Sequence, residues 1–79
     1  MADAARLQAG LGEAIKRLRH REVLSQEDLA FRAGLHPTFI SEIENGHKDL
    51  RLSSLCKVAD GLGVSVLELI GLAERSDLR

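Results

Sequence analysis

Seventy-nine residues, 44% hydrophobic and 29% charged with a formal net charge of −1, describe one small globular domain (1–79) rather than a disordered chain. One Pro, no Trp, no Tyr and two Phe leave Leu, Ile, Val and Ala to build the core, and a single cysteine rules out an internal disulfide. No apolar run approaches the ~20 residues of a membrane span and the N-terminus, MADAARLQAG, lacks a signal-peptide pattern, so a cytoplasmic chain with no membrane partner is expected.

Leu7, Leu11, Ala14, Ile15 and Leu18 fall on one face at helical spacing and predict a first helix over about 4–22. Gly10 and Gly12 each cost ~1 kcal/mol there, so its first turns are expected to fray or start late. The end of this helix is basic, with Lys16, Arg17, Arg19, His20 and Arg21. Cations suit a helix C-terminus in any protein, and as a cluster they can also face phosphates. Ser25 then reads as an N-cap. Asp28 completes a capping box with it, and Leu24 before the cap can staple to Leu29. Leu29, Ala30, Ala33 and Leu35 are small or apolar, and Gly34 suits a left-handed helix end.

Pro37 sits where a first helical residue would, its φ preset and its missing N–H not needed. Ile40 and Ile43 form the inner stripe of that next helix, which Asn45-Gly46 closes. Two helices joined by a short turn containing Gly have the geometry of a helix-turn-helix. Leu52, Leu55, Val58, Ala59 and Leu62 predict a further helix over about 52–62, ended by Gly63. Ser65 with Glu68, and Val64 with Leu69, repeat the cap-and-staple pattern and start a last helix over about 66–73. The polar tail 74–79 is expected to be loose. With no strand pattern, repeat or low-complexity tract, the expected fold is an all-α bundle of five helices.

Residues 11–70 resemble the Cro/C1-type (XRE-like) helix-turn-helix DNA-binding domains of phage repressors, with the motif itself over 25–45. The resemblance rests on Leu24-Ser25-Gln26-Glu27-Asp28-Leu29-Ala30, Ala33-Gly34-Leu35, Phe39-Ile40-Ser41-x-Ile43-Glu44-x-Gly46 and Leu62-Gly63-Val64-Ser65. The stretch GLHPTFISEIENGHKDLRLSSL is also similar to the controller proteins of restriction–modification systems, which are small dimers of this domain alone. The resemblance implies a compact, lambda-repressor-like bundle that binds double-stranded DNA. It makes the Pro37 helix the recognition helix, with His36, Pro37, Thr38, Ser41 and Glu42 outward and its first residues towards base edges. It places Gln26 against a phosphate at the start of the second helix, where free N–H groups also favour an anion. The segment from Asn45 to Lys48 follows the backbone, with Lys48 as its cation and Arg17 among the other phosphate-facing cations.

Several of these residues admit a second reading. His36 is a poor N-cap by type and either faces the groove or only covers the turn. Thr38 can satisfy helix-start donors or meet a base edge or thymine methyl. Glu42 either accepts from cytosine N4 or lies outside the groove beside a cation. Glu44 matches a family position that forms a buried ion pair with an arginine of the first helix, and Arg19 is its counterpart here. Pro37 and Phe39 depart from the longer polar residue and the Tyr that are commoner in related controllers.

No Gly-rich phosphate loop, metal-spaced Cys/His set or based nucleophile is present, so no enzyme, cofactor, metal or small-molecule ligand is expected. Cys56 reads as a small buried hydrophobe. Leu50, Leu67, Ile70 and Leu72 exceed what the core needs and predict a homodimer interface. The function expected is a sequence-specific regulator binding a roughly palindromic operator as a homodimer. It would control restriction–modification genes or its own gene. The alternatives are an antitoxin, or an interaction module that keeps the fold without binding DNA.

Overall fold

The computed structural model describes residues 3–76, and among these it contains five helices and no strand. They are α1 (Ala4–Arg21), α2 (Gln26–Ala33), α3 (Pro37–Glu44), α4 (Leu52–Leu62) and α5 (Val66–Ser76). α1 packs mainly along α5 and also touches α3, while α2 is held between α3 and α4. The core is aliphatic, with Ile15, Leu29, Ile40, Ile43, Val58 and Leu69 fully enclosed.

α1 does not start late. Asp3 caps it, accepting from the backbone N–H of Ala5 at 3.0 Å and of Arg6 at 3.3 Å. Gly10 and Gly12 are both buried. A Cβ on Gly10 would run into the carbonyl oxygen of Ala73 in α5, and one on Gly12 into that of Ile43 in α3. Their helix-propensity penalty is thus offset by close approach of two other helices.

Ser25 and Asp28 form the full capping box: Ser25 Oγ accepts from the Asp28 N–H at 2.9 Å and an Asp28 carboxylate oxygen accepts from the Ser25 N–H at 2.9 Å. These bonds hold the Asp28 carboxyl below its ordinary value of 3.8, the one from the Ser25 backbone contributing most. At the start of α5, Ser65 Oγ accepts from the Glu68 N–H at 3.0 Å.

Four helices end in the same device. A residue with positive φ follows each, its N–H bonding three residues back, and the next N–H reaches five residues back. The second of these bonds are Leu24 to Arg19, Leu35 to Ala30, His47 to Glu42 and Val64 to Ala59. Gly34, Gly46 and Gly63 fill the positive-φ position after α2, α3 and α4, but Val23 fills it after α1, at φ 57°.

Three further sequence expectations change. Leu52, assigned to the inner stripe of α4, is 74% exposed, because it opens the helix ahead of the enclosed turn. Cys56 is exposed rather than buried. The inward face of α4 runs through Leu55, Val58, Ala59 and Leu62, and Cys56 stands one position off it. The tail expected to be loose over 74–79 is helical as far as Ser76, and the rest lies outside the described residues. Ala73 is fully buried and anchors that last turn, while Glu74 and Arg75 are good helix formers.

Candidate nucleic-acid interface

The turn between α2 and α3 is short because each helix has its own stop and start. Gly34 at φ 69° ends α2, and Pro37 opens α3 with its φ already helical. Ile40 and Ile43 face inward. The remaining positions of α3 put Thr38, Ser41, Glu42 and Asn45 on its outer side, at the i, i+3, i+4 and i+7 spacing of one face. Thr38 and Asn45 are exposed, and Ser41 and Glu42 are half-buried.

His36 caps α3 despite its residue type. Its ring Nδ1 accepts from the Thr38 N–H at 3.1 Å. The Thr38 hydroxyl is not the group satisfying that helix-start donor.

Arg19 and Glu44 form a two-pronged ion pair from α1 to the end of α3. Arg19 Nε lies 2.7 Å from Glu44 Oε2, and Nη2 donates to Oε1 at 3.0 Å. Arg19 Nη1 donates to the Leu24 carbonyl at 2.7 Å. The side chains are only 9% and 3% exposed. Hydrogen bonding to Glu44, together with its charge, raises the Arg19 pKa against the opposing effect of burial.

Gln26 departs from expectation. Its amide nitrogen donates to Glu44 Oε1 at 3.0 Å instead of pointing wholly outward. A charged acceptor at the end of α3 is a stronger partner than water, so one of the two amide protons is committed and the other is left for an outside acceptor. Glu44 thereby ties α1, α2 and α3 together at one carboxylate.

Lys48, in the loop after α3, is not an isolated cation. Its ammonium lies 3.5 Å from Glu42 Oε1 and 5.6 Å from the centroid of the Phe39 ring. In the free chain Glu42 therefore stands beside a cation. Arg17 pairs with Glu13 at 3.3 Å and Arg21 with Glu22 at 3.7 Å. Exposed pairs of this kind contribute ~0–1 kcal/mol each, so these cations can be exchanged to other anions.

A cleft brings Arg17 together with Asn45, and with Lys16 and His20, between α1 and the end of α3. Gln8 belongs to no motif of the sequence. Its amide nitrogen donates to the Gly46 carbonyl at 2.9 Å and so braces the start of the α3–α4 loop from α1. Residues 38 positions apart give no local signal for such a bond.

The four residues assigned to a dimer surface differ in exposure. Leu67 is 83% exposed, whereas Leu50, Ile70 and Leu72 are partly buried against the core. Leu50 and Ile70 share one apolar cleft with Leu7 and Leu55, and Leu72 lines another beside Leu18 and Arg21.

Against known proteins, residues 15–69 match the family model described as helix-turn-helix. Control protein C.BamHI of Bacillus amyloliquefaciens is 37% identical over 60 residues, which are 75% of this chain and 74% of that protein. Control protein C.MunI of a Mycoplasma species is 38% identical over 65 residues, 81% of this chain and 88% of that one. Among solved structures, the restriction–modification controller protein C.Esp1396I, crystallised as a tetramer with its natural 35-base-pair operator, superposes with a TM-score of 0.85. It is 32% identical, over 92% of this chain and 96% of that one. The controller protein C.AhdI from Aeromonas hydrophila gives 0.76 at 32% identity, over 78% and 94% of the two chains. The chain belongs to the Cro/C1-type helix-turn-helix family, with restriction–modification control proteins among its relatives.

Proposed function

We propose that this protein is a cytoplasmic, sequence-specific regulator that binds a roughly palindromic double-stranded operator as a homodimer and controls restriction–modification genes or its own gene. The observation that carries the reading is the outer face of α3. Thr38 is exposed one residue into a helix whose cap is supplied by His36, so its hydroxyl and methyl are both available to a base edge. The operator-bound state of C.Esp1396I, which this chain matches over 92% of its length, supports the same reading. α2 and α3 then act as the helix-turn-helix, with α3 in the major groove. Pro37 sets the approach of α3 and has no side-chain donor of its own. Ser41 and Asn45 continue the reading face. Gln26 offers its second amide proton, with the free N–H groups of the α2 start, to a phosphate. Arg17 meets the backbone from α1.

Base contacts carry sequence information and phosphate contacts do not. Thr38→Ala is therefore expected to weaken a selected operator by ~1–3 kcal/mol per contact and leave scrambled DNA nearly unchanged. Arg17→Ala is expected to weaken both alike and to make the slope of log K against log salt shallower by about one per subunit. Titrations of both variants on both duplexes across a salt series provide the check. Equal losses for Thr38→Ala on every sequence would show that α3 does not read bases, and no binding of wild-type protein to any duplex would exclude DNA as the partner.

A further inference from the structure

We propose that Glu42 sets sequence selectivity by occupying Lys48, and releases it where the base pair under α3 offers the carboxylate an amino donor. The inference rests on the DNA-reading role of α3 given above. Lys48 is folded back from its loop over α3, beside Glu42 Oε1 at 3.5 Å and above the Phe39 ring. The two charged side chains remain 43% and 46% exposed. Such a contact is weak enough to open, yet opening it has a consequence near DNA, because it strands a carboxylate on the helix that approaches the phosphates.

On DNA of arbitrary sequence, Lys48 gains a phosphate only by leaving Glu42 unpaired in the negative potential of the backbone. Gain and loss oppose each other, and Lys48 adds little. Where a cytosine lies beneath Glu42, its N4 amino group donates to the carboxylate, the pairing that acidic side chains make in the major groove. Lys48 then moves to a phosphate without stranding its former partner. A phosphate contact that carries no sequence information by itself becomes conditional on a base. The arrangement gives a positive role to an acid that a search for cations would discard, and it fits a chain whose formal net charge is −1.

The test compares wild type, Glu42→Gln, Lys48→Gln and the double variant on two duplexes, one selected by the wild-type protein from a random-sequence pool and one scrambled to the same composition. Gln keeps an acceptor oxygen for the cytosine amino group but cannot hold Lys48 as an ion pair. Glu42→Gln is expected to tighten binding to the scrambled duplex by about threefold per subunit, roughly tenfold for a dimer. The selected duplex is expected to change much less, so the ratio between the two falls. In the Lys48→Gln background the gain on scrambled DNA is expected to vanish. A gain equal on both duplexes overturns the proposal. So does a gain that survives Lys48→Gln, which would assign it to through-space repulsion alone. Wild type that discriminates between the duplexes while Glu42→Gln leaves the ratio unchanged removes this inference and leaves the DNA-reading role standing. Wild type that selects no sequence removes both.

Discussion

At the scale of single residues, Glu44 bears the largest share of the site's order. It accepts from Arg19 twice and from Gln26 once, from two different helices, while its side chain is almost fully enclosed. Removing one partner of a buried pair leaves the other charge unpaired away from water. Glu44→Ala is therefore expected to destabilise the fold by ~3–5 kcal/mol, a large part of the ~5–15 kcal/mol that holds a domain together. Thermal or urea unfolding measures this directly, and a melting temperature equal to wild type would show that the pair contributes nothing. Gln26 should lose its fixed orientation at the same time, so Glu44→Gln, which keeps an acceptor, is the gentler probe of its effect on DNA.

At the scale of elements, the helix ends show one rule and one exception. Gly34, Gly46 and Gly63 occupy the left-handed position after their helices, and Val23 occupies it after α1. A β-branched residue there has its Cβ close to the following carbonyl, at a cost of ~1–2 kcal/mol. The neighbouring contacts explain why the turn keeps this conformation. It delivers the Leu24 carbonyl to Arg19 Nη1 at 2.7 Å and buries the Leu24 side chain. The Val23 side chain itself is exposed, so exchanging it forfeits little packing. Val23→Gly is expected to stabilise the protein by about 1 kcal/mol after the added freedom of the unfolded chain is subtracted. That corresponds to a rise in melting temperature of roughly 4–8 °C for a domain of this size, and a fall instead would mean that the Val23 backbone is not strained.

At the scale of the whole molecule, one copy measures 34 × 21 × 19 Å and presents a single candidate reading helix. A palindromic site needs two such helices about 34 Å apart, one turn of DNA, and so needs a second copy. Leu67 on α5 is an open apolar residue, and Leu50 and Ile70 of the proposed interface line an apolar cleft. A two-fold contact that covers Leu67 would bury it against the same patch of its partner. Leu67→Glu is expected to convert a dimer into a monomer at tens of micromolar without loss of helix. Sedimentation and circular dichroism together decide it, and a dimer that persists in Leu67→Glu places the interface elsewhere.

Local chemistry explains how much of this was readable beforehand. Helix starts at Ser25, Pro37 and Ser65 and stops at Gly34 and Gly63 depend on bonds between residues at most five apart, so their signals lie within short stretches of sequence. The inner stripes did so too, because one helix face is defined by its own period. Side chains meeting across helices follow no local period. The bond from Gln26 to Glu44 and the brace from Gln8 to Gly46 depend on how α1, α2 and α3 pack, whereas the His36 cap and the hold of Glu42 on Lys48 are short-range contacts of residue types that carry no standard signal for them. Gly10 and Gly12 make the same point from the backbone. Propensity alone marks them as weak spots in α1, and only the carbonyls of Ala73 and Ile43 lying against them show that larger residues would not fit.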